Sequence, residues 1–475
     1  MKFPAKDTRQ SFIDFFLLTG LSSFFLLYRL GDGSIASWDE GIYASVAKEL
    51  YQSGQWFKLT LGGSPWFDKP PLAIWATVLS YKLFGVNEFS ARFFSALCGV
   101  GTVLVTYLLG KRLFGRWVGF LGAAVLMSSS HFIRFSRFGM LDAPLTLFLT
   151  LSLYFFWLAV ESGRAKHFIF AGIAAALAIL TKSFAAFLIF PIQWIYAAWA
   201  GEGYLLKRRS AWLGFAIAMG VFLAWSFLGF FIDRTYFMQE GLWTHLVRRT
   251  IQPLDGHAGN AYFYIRVLIN KYHPWILVGV VSAPLFLFRA VKDRYREFVF
   301  LSVWMFFILA VTTLVRTKLA WYIIPAYPAL SISVAYCLAK VFNQNQAFWV
   351  RPVFIGIMAL HVPYSHIFDH DYSRPLKGLA SAIVREVPEG GELGLYNYHE
   401  AMATFFYTDR KAIYIDSPEA FRERVKIDPS FVCLVRGEYW SKVELLVKSQ
   451  GLLVAESFED TKLIVKKNKP LKKVF

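Results

Sequence analysis

The chain has 475 residues, of which 56% are hydrophobic, 18% aromatic and only 17% charged. This composition excludes a single water-soluble domain of such length and indicates a membrane protein. The formal net charge of +18 would suit nucleic-acid binding, but the basic residues fall in short clusters between apolar runs. We therefore expect the lipid bilayer, and no nucleic acid, as a partner.

Apolar runs recur along the chain at roughly the length that a helix needs to cross hydrocarbon, and they predict about eleven transmembrane helices. We place these spans near residues 12–30, 91–110, 117–133, 142–160, 168–181, 184–200, 211–231, 274–290, 298–315, 320–339 and 352–367. Every second loop is basic, as at Lys111, Arg112 and Arg116, which places the N-terminus in the cytoplasm. An odd number of spans then places the C-terminal region outside the cytoplasm.

Two long loops face the outer side in this topology, residues 31–90 and 232–273. The first contains ASVAKELYQSG, which ends at Gly54, and KPPLAIWATVLSYKLFG. Both segments have the pattern of amphipathic helices that lie at the membrane interface. The second loop mixes charged residues, His and Gly with aromatic residues. We expect the chemistry in these two loops.

The sequence changes character near residue 368. Five segments with strand-like composition follow, namely LGLYN, AIYID, FVCLVR, LLVAES and KLIVKK, and helical stretches separate them. This alternation predicts a small α/β domain. The predicted fold is thus a polytopic α-helical membrane domain, residues 1–367, with a small C-terminal α/β soluble domain, residues 368–475, on the extracytoplasmic side.

Three acidic residues in two loops are candidates for chemistry at the outer surface. Asp39 and Glu40 directly follow the first span, and Asp142 begins another outward-facing helix with Pro144 just inside it. One interpretation is that Asp39 and Asp142 only cap helices. The other is that acids from two loops meet at one site, where they would hold a sugar hydroxyl or a divalent cation.

Lysine is the second residue type of interest. Lys69 precedes Pro70 and Pro71. It is either an anchor that reaches towards the membrane boundary or a cation that the rigid prolines direct at a phosphate. Lys182, in ILTKSF at the outer end of a short span, allows the same two interpretations.

The chain resembles the bacterial GT-C glycosyltransferases of the aminoarabinose transferase and protein O-mannosyltransferase-like group. The matching segments are, in order, WDEGIYASVAKELYQSGQW, PWFDKPPLAIWATVLSYKLFG, RFFSALCGVGTVLVTYLLGKRLFG, RFGMLDAPLTLF, ILTKSFAAFLIFP and TKLAWYIIPAYPAL. The resemblance implies a GT-C fold and an inverting transfer of sugar from a polyprenyl-phosphate donor. The implied acceptor is a lipid such as lipid A, a protein or another envelope molecule. The implied location is the extracytoplasmic face of the inner or plasma membrane, in a multi-pass protein.

The resemblance also implies roles for single residues. The matches to catalytic acids are Asp39, Glu40 and Asp142, and Asp39 with Asp142 would hold any metal. The matches to donor-phosphate ligands are Lys69, Arg249, Tyr43 and Tyr322, and further candidates for substrate contacts are Arg248, His257 and Lys318. The chain departs from the family pattern at Asn260 and Ala320, where the family has proline.

Two rival classes are a transporter or flippase of lipid-linked sugars and a non-catalytic envelope scaffold. A transporter usually shows internal symmetry and ionisable residues near the middle of the membrane. This sequence has no visible repeat, and its notable charges concentrate at loop edges on one face. A scaffold would not require Asp39, Lys69, Asp142 and Arg249 together on the outer side. The sequence therefore favours a transferase.

Overall fold

The computed structural model describes residues 8–36, 38–253, 256–341, 356, 373–398 and 402–466. The chain divides into two compact units. The first unit consists of Met1–Leu30, Phe67–Ala76 and Arg92–Phe368, and the second consists of Gly31–Trp66, Thr77–Ala91 and Asp369–Phe475. The domain boundary predicted at residue 368 lies outside the described residues and stays a prediction. The second unit also takes in most of the predicted outer loop 31–90.

The chain up to residue 341 is mainly helical. Its α-helices are α1 (Thr8–Leu27), α2 (Asp39–Ser53), α3 (Leu72–Phe84), α4 (Glu88–Phe114), α5 (Arg116–Met127), α6 (Ser130–Arg137), α7 (Asp142–Ser162), α8 (Ala165–Ala186), α9 (Ile189–Trp199), α10 (Arg209–Ile232), α11 (Arg234–Tyr236), α12 (Arg249–Ile251), α13 (Phe263–Lys271), α14 (Ile276–Lys292), α15 (Arg296–Leu314) and α16 (Tyr327–Val341). Two 3₁₀ segments and one π-helical segment complete it, at Gly203–Lys207, Ala320–Ala326 and Phe237–Arg248. The strands β1 (Thr60–Leu61) and β2 (Ser64–Pro65) form a short antiparallel hairpin after α2.

Within the described residues, seven helices are long and apolar enough to cross a membrane. The helices α5 and α6 would make an eighth span if the pair, bent by 65°, is counted as one. The spans predicted at 184–200 and 274–290 appear as helices of 11 and 17 residues. The last predicted span, 352–367, lies outside the described residues except for Gly356. The polytopic helical class is therefore confirmed, whereas the count of eleven spans is not.

Glycine allows two of the membrane helices to approach closely. A Cβ atom on Gly172 of α8 would lie 2.3 Å from the carbonyl oxygen of Gly214 in α10. Small residues at helix interfaces let backbones pack tightly where lipid removes the hydrophobic driving force. The pairing of α8 with α10 matters for the site because Lys182 lies near the end of α8.

The predicted α/β domain is confirmed. Its elements are α17 (Arg374–Glu386), β3 (Glu392–Tyr396), α18 (Thr404–Thr408), β4 (Lys411–Ile415), α19 (Pro418–Ile427), β5 (Val432–Val435), α20 (Gly437–Ser449), β6 (Leu452–Phe458) and β7 (Thr461–Lys466). The five strands form one mixed sheet in the order β4-β3-β5-β7-β6, in which β3 pairs in parallel with β4 and β5. The five strand-like segments of the sequence correspond to these strands, because short apolar runs rich in β-branched residues between turn signals are typical of strands.

Candidate active site

A cavity of about 340 Å³ lies within the first unit. Its ionisable lining residues are Asp68, Lys69, Asp142, Lys182 and Tyr322. Its apolar lining residues include Leu145, Phe184, Leu188, Phe222, Trp225, Val311 and Val315. The cavity thus combines two lysines and two aspartates with apolar walls, and Asp142 balances one of the lysines. Apolar walls with a few polar groups are typical of ligand pockets.

Asp142 and Lys182 form a buried ion pair in this cavity. The Lys182 Nζ atom lies 2.8 Å from a carboxylate oxygen of Asp142, and the two side chains are 12% and 2% exposed. Lys182 interrupts the helical geometry of α8, with φ −151° and ψ 67°, and its Nζ atom lies 5.3 Å from the centroid of the Tyr322 ring. Buried charges are stable only when they are paired. The ammonium group of Lys182 thus belongs to the cavity wall, where it balances Asp142.

The segment around Lys69 is held by its neighbours. The Phe67 ring packs against Trp225 and Tyr236, with centroid distances of 6.0 and 6.3 Å. The Tyr236 hydroxyl donates to a carboxylate oxygen of Asp68 at 2.9 Å. The Lys69 ammonium donates to the Asp68 carbonyl at 3.0 Å. These contacts hold the segment in which Lys69 lines the cavity. No sequence pattern identified Tyr236 as part of this site.

The predicted loop 232–273 contributes Phe237, Gly241 and Thr250 to the cavity lining. Arg248 is exposed, and Arg249 begins α12, but the side chain of Arg249 lies outside the described part of the structure. His257 is exposed, and its carbonyl accepts the N–H of Lys318 at 2.9 Å. The predicted substrate contacts of Arg248, Arg249 and His257 therefore stay predictions.

The ammonium group of Lys318 is bound by backbone carbonyls at the end of a helix. Its ammonium group donates to the carbonyls of Thr312 at 3.0 Å and Val315 at 2.5 Å, and also to that of Thr313. These carbonyls lie at the C-terminal end of α15, where a cation is favourable. Burial, with a smaller contribution from Arg316, lowers the pKa of Lys318 below its usual value. The structure thus gives Lys318 a helix-capping contact, and its role towards substrate stays a prediction.

The acids after the first span lie in the second unit. Asp39 is the first residue of α2 and is partly exposed, whereas the Glu40 side chain is buried. A Glu40 carboxylate oxygen accepts the N–H of Ala36 at 2.5 Å, which closes the turn before the helix. Tyr43 is buried with its ring edge against Trp66, at a centroid distance of 6.0 Å. Of these residues, Asp39 has the most accessible carboxylate.

Neither Asp39 nor Asp142 occupies the position of a helix N-cap. The N-cap residues of α2 and α7 are Trp38 and Leu141, and neither makes a side-chain capping bond. Each acid follows as the first helical residue, where a negative charge is favourable near the helix N-terminus. The interpretation as simple capping residues is therefore weaker than the sequence alone suggested.

The Asp142 carboxylate already has a cationic partner in the cavity. The carboxylate is already matched by the Lys182 ammonium at 2.8 Å. Within the described residues, no group of three or more His, Cys, Asp or Glu side chains could hold a metal ion. Metal binding by Asp39 and Asp142 stays a prediction.

The chain is similar to one family model and to several known proteins. The family model described as dolichyl-phosphate-mannose-protein mannosyltransferase matches residues 68–227. An uncharacterized protein of Aquifex aeolicus is 33% identical over 346 residues, which cover 70% of this chain and 66% of the relative. The undecaprenyl phosphate-alpha-4-amino-4-deoxy-L-arabinose arabinosyl transferase of Pseudomonas savastanoi pv. phaseolicola is 29% identical over 356 residues, which cover 72% and 66%. The matches thus span about two thirds of the length of these relatives.

Two solved structures share the fold. ArnT from Cupriavidus metallidurans bound to undecaprenyl phosphate superimposes with a TM-score of 0.74 at 18% identity, over 96% of this chain and 98% of that one. The archaeal oligosaccharyltransferase AglB from Archaeoglobus fulgidus superimposes with a TM-score of 0.65 at 13% identity, over 91% and 70%. The chain is a multi-pass membrane protein with the GT-C fold. Its resemblance to the aminoarabinose transferase and protein O-mannosyltransferase-like group is confirmed.

Proposed function

We propose that this chain is an integral-membrane glycosyltransferase that transfers a sugar from a polyprenyl-phosphate donor to an envelope acceptor on the extracytoplasmic face. The observation that carries the proposal is the cavity in which Lys69 and Lys182 line a wall rich in aromatic and aliphatic residues. A polyprenyl phosphate joins one anionic group to an apolar chain, so it needs cations and apolar surface together. The names of similar proteins, which include undecaprenyl phosphate and dolichol-phosphate, support this donor class.

The leaving group determines what the lysines do. As the bond between the anomeric carbon and the phosphate oxygen breaks, negative charge grows on the departing polyprenyl phosphate. A fixed ammonium group stabilises that charge most strongly in a site with little water. Lys69 fulfils this role, Tyr322 contacts the same phosphate, and Arg249 adds a second cation. Lys182 stays paired with Asp142 in the same wall, where the pair can reorient towards the phosphate.

The acceptor determines what Asp39 does. If the attacking atom is a hydroxyl oxygen, Asp39 accepts its proton as the new bond to the anomeric carbon forms. If the attacking atom is a phosphate oxygen, no base is needed, and Asp39 orients the sugar. Both cases are direct displacements, which invert the anomeric centre. Glu40, whose carboxylate binds the Ala36 N–H, holds the turn that carries Asp39.

The donor sugar to test first is 4-amino-4-deoxy-L-arabinose on undecaprenyl phosphate, because the names of several relatives contain it. Lipid A is the acceptor to examine first, followed by envelope proteins and other lipids. The alternation of basic loops in the sequence supports an active site on the extracytoplasmic face, because it predicts that the loop of Asp39 lies outside the cytoplasm.

The test is mass spectrometry of polyprenyl-phosphate sugars, lipid A and envelope glycoproteins from deletion cells. The cells carry wild type, Asp39→Asn or, as a matched control, Asp32→Asn from the same loop, at equal protein levels. For a hydroxyl acceptor, we expect Asp39→Asn to lower the transfer rate by about 10²–10⁴-fold. The modified acceptor should reappear with wild type and with Asp32→Asn. Unchanged acceptor pools in the deletion strain would contradict the proposed function, and full transfer by Asp39→Asn would contradict the role of Asp39.

A further inference from the structure

Within the second unit, the helix that carries Asp39 packs against one segment of the C-terminal domain. We call residues 402–409, which include α18, the 402–409 segment. A Cβ atom on Gly41 would lie 2.8 Å from the backbone nitrogen of Ala403, so only glycine allows this approach without a shift. Further along α2, Lys48 donates to the carbonyl of Phe406 at 2.8 Å and forms an ion pair with Asp409 at 2.9 Å. The helix is thus held at two separate turns.

The segment that leads into α2, residues 31–36 and 38–40, is held by the same domain, and we call it the acidic loop. The N–H of Ile35 donates to the hydroxyl of Tyr407, in α18, at 2.8 Å. The hydroxyl of Ser34 accepts the N–H of Ser373, just before α17, at 2.7 Å. Ser34, Ile35 and Ser373 are buried, so water cannot easily replace these partners.

The hydroxyl of Tyr407 both accepts and donates a hydrogen bond. While it accepts the N–H of Ile35, it donates to a carboxylate oxygen of Glu88 at 3.1 Å. The same oxygen of Glu88 lies 2.6 Å from the ammonium group of Lys377, in α17. A chain of polar contacts therefore runs from α17 through Glu88 and Tyr407 to the acidic loop. Such a chain restricts the orientation of every member.

We propose that Tyr407 is a positioning residue for Asp39, and that the C-terminal domain sets the geometry of the acidic loop. The effect on sugar transfer rests on the proposed function, whereas the positioning of the acidic loop by Tyr407 does not. A reacting group that is misplaced by about 1 Å can lose about 10²-fold in rate. Two hydrogen bonds from the domain and the Glu40 turn restrict such displacement. The domain would then act in catalysis whatever acceptor is used.

The hold on the loop can be measured without any substrate. In hydrogen exchange of the full-length protein, the peptide that covers residues 31–40 reports the Ile35 amide. The variant Tyr407→Phe removes the acceptor of that amide, and we expect its exchange to be about fivefold faster, the size expected for one hydrogen bond. Tyr396→Phe makes the same chemical change on β3, where the ring packs against Phe421 in the domain core. The control should exchange like wild type, and unchanged exchange in Tyr407→Phe would overturn the proposal.

The catalytic consequence is measured by separating donor binding from turnover. We expect Tyr407→Phe to bind undecaprenyl phosphate like wild type, because the cavity lies in the first unit, but to transfer sugar about tenfold more slowly. Ser34→Ala, which removes the second contact without changing the 402–409 segment, should show the same separation. Weaker donor binding together with a lower melting temperature would mean a general structural defect and would overturn the proposal, as would wild-type turnover. If wild type itself fails to bind undecaprenyl phosphate, the proposed function is wrong. The exchange experiment still tests whether Tyr407 holds the acidic loop.

Discussion

The acidic residues of the cavity and those of α2 are held in different ways. In the first unit, Asp142 and Lys182 balance each other side chain to side chain at 2.8 Å, in a cavity with largely aromatic and aliphatic walls. In the second unit, two acidic side chains of α2 accept backbone N–H groups. Glu40 binds that of Ala36 at 2.5 Å, and Glu49 binds that of Gly63 at 3.1 Å.

This difference indicates two tasks. An ion pair between side chains can rearrange when a charged ligand enters, because neither partner determines the path of the backbone. A carboxylate that binds backbone N–H groups fixes a turn and so determines where the next residue lies. The cavity is therefore suited to binding a phosphate, and the acidic loop is suited to keeping one carboxylate in place. Mutations in the two regions should separate donor binding from turnover.

The largest effect on stability is expected at the buried ion pair. Lys182→Met leaves the Asp142 carboxylate buried without its partner, which typically costs about 3–5 kcal/mol. The double variant Asp142→Asn/Lys182→Met removes both charges and should recover most of the lost stability. Thermal unfolding of the purified protein in detergent measures both. Lys207→Met, on an exposed basic residue, is the matched control. Equal melting temperatures for Lys182→Met and wild type would show that Asp142 does not depend on this pair.

Donor binding should depend most directly on Lys69. A hydrogen bond to a charged group contributes about 1.5–3 kcal/mol, so Lys69→Met should weaken binding of undecaprenyl phosphate about 10- to 150-fold. Titration of the purified protein with undecaprenyl phosphate measures this change. Lys58→Met removes the same charge from an exposed position and should bind like wild type. A Lys69→Met variant with wild-type affinity would remove Lys69 from the proposed phosphate site.

Local signals in the sequence predicted many of the elements. The periodic segment after the first span forms α2, and it ends at Gly54, which has φ 68° and donates its N–H to Leu50. The segment after Pro71 forms α3, and all five strands of the domain lie at the strand-like segments of the sequence. These features depend on neighbouring residues, whose spacing is visible in the sequence.

The partners of the site residues could not be predicted in this way. Lys182 binds Asp142 across 40 positions of sequence, and Tyr407 binds Ile35 across 372. The carbonyls that surround Lys318 also depend on where α15 ends, which hydropathy does not determine to the residue. A motif indicates which residue types are needed, but not which contacts hold them in place.

A smaller effect is expected at Glu49. Its buried carboxylate accepts the Thr60 hydroxyl at 2.7 Å and the N–H groups of Gly62 and Gly63, so it holds the β1–β2 hairpin against α2. Glu49→Gln loses the charge but keeps most of the shape, and it should lower the free energy of unfolding by about 1–3 kcal/mol. Affinity for undecaprenyl phosphate should not change. Glu389→Gln, at an exposed position, is the control for the loss of charge. A change in affinity would show that the two regions are not separable.

The smallest effect is expected from removal of divalent cations. Because the Asp142 carboxylate is matched by Lys182, and because Lys69 supplies positive charge for the leaving phosphate, sugar transfer should continue at its full rate in excess EDTA. Initial rates with and without the chelator, using membranes washed free of metal, measure this. A rate that falls in EDTA and returns with Mg²⁺ or Mn²⁺ would contradict the expectation. That result would support Asp142 as a ligand of a divalent cation, which would supply positive charge for the leaving phosphate.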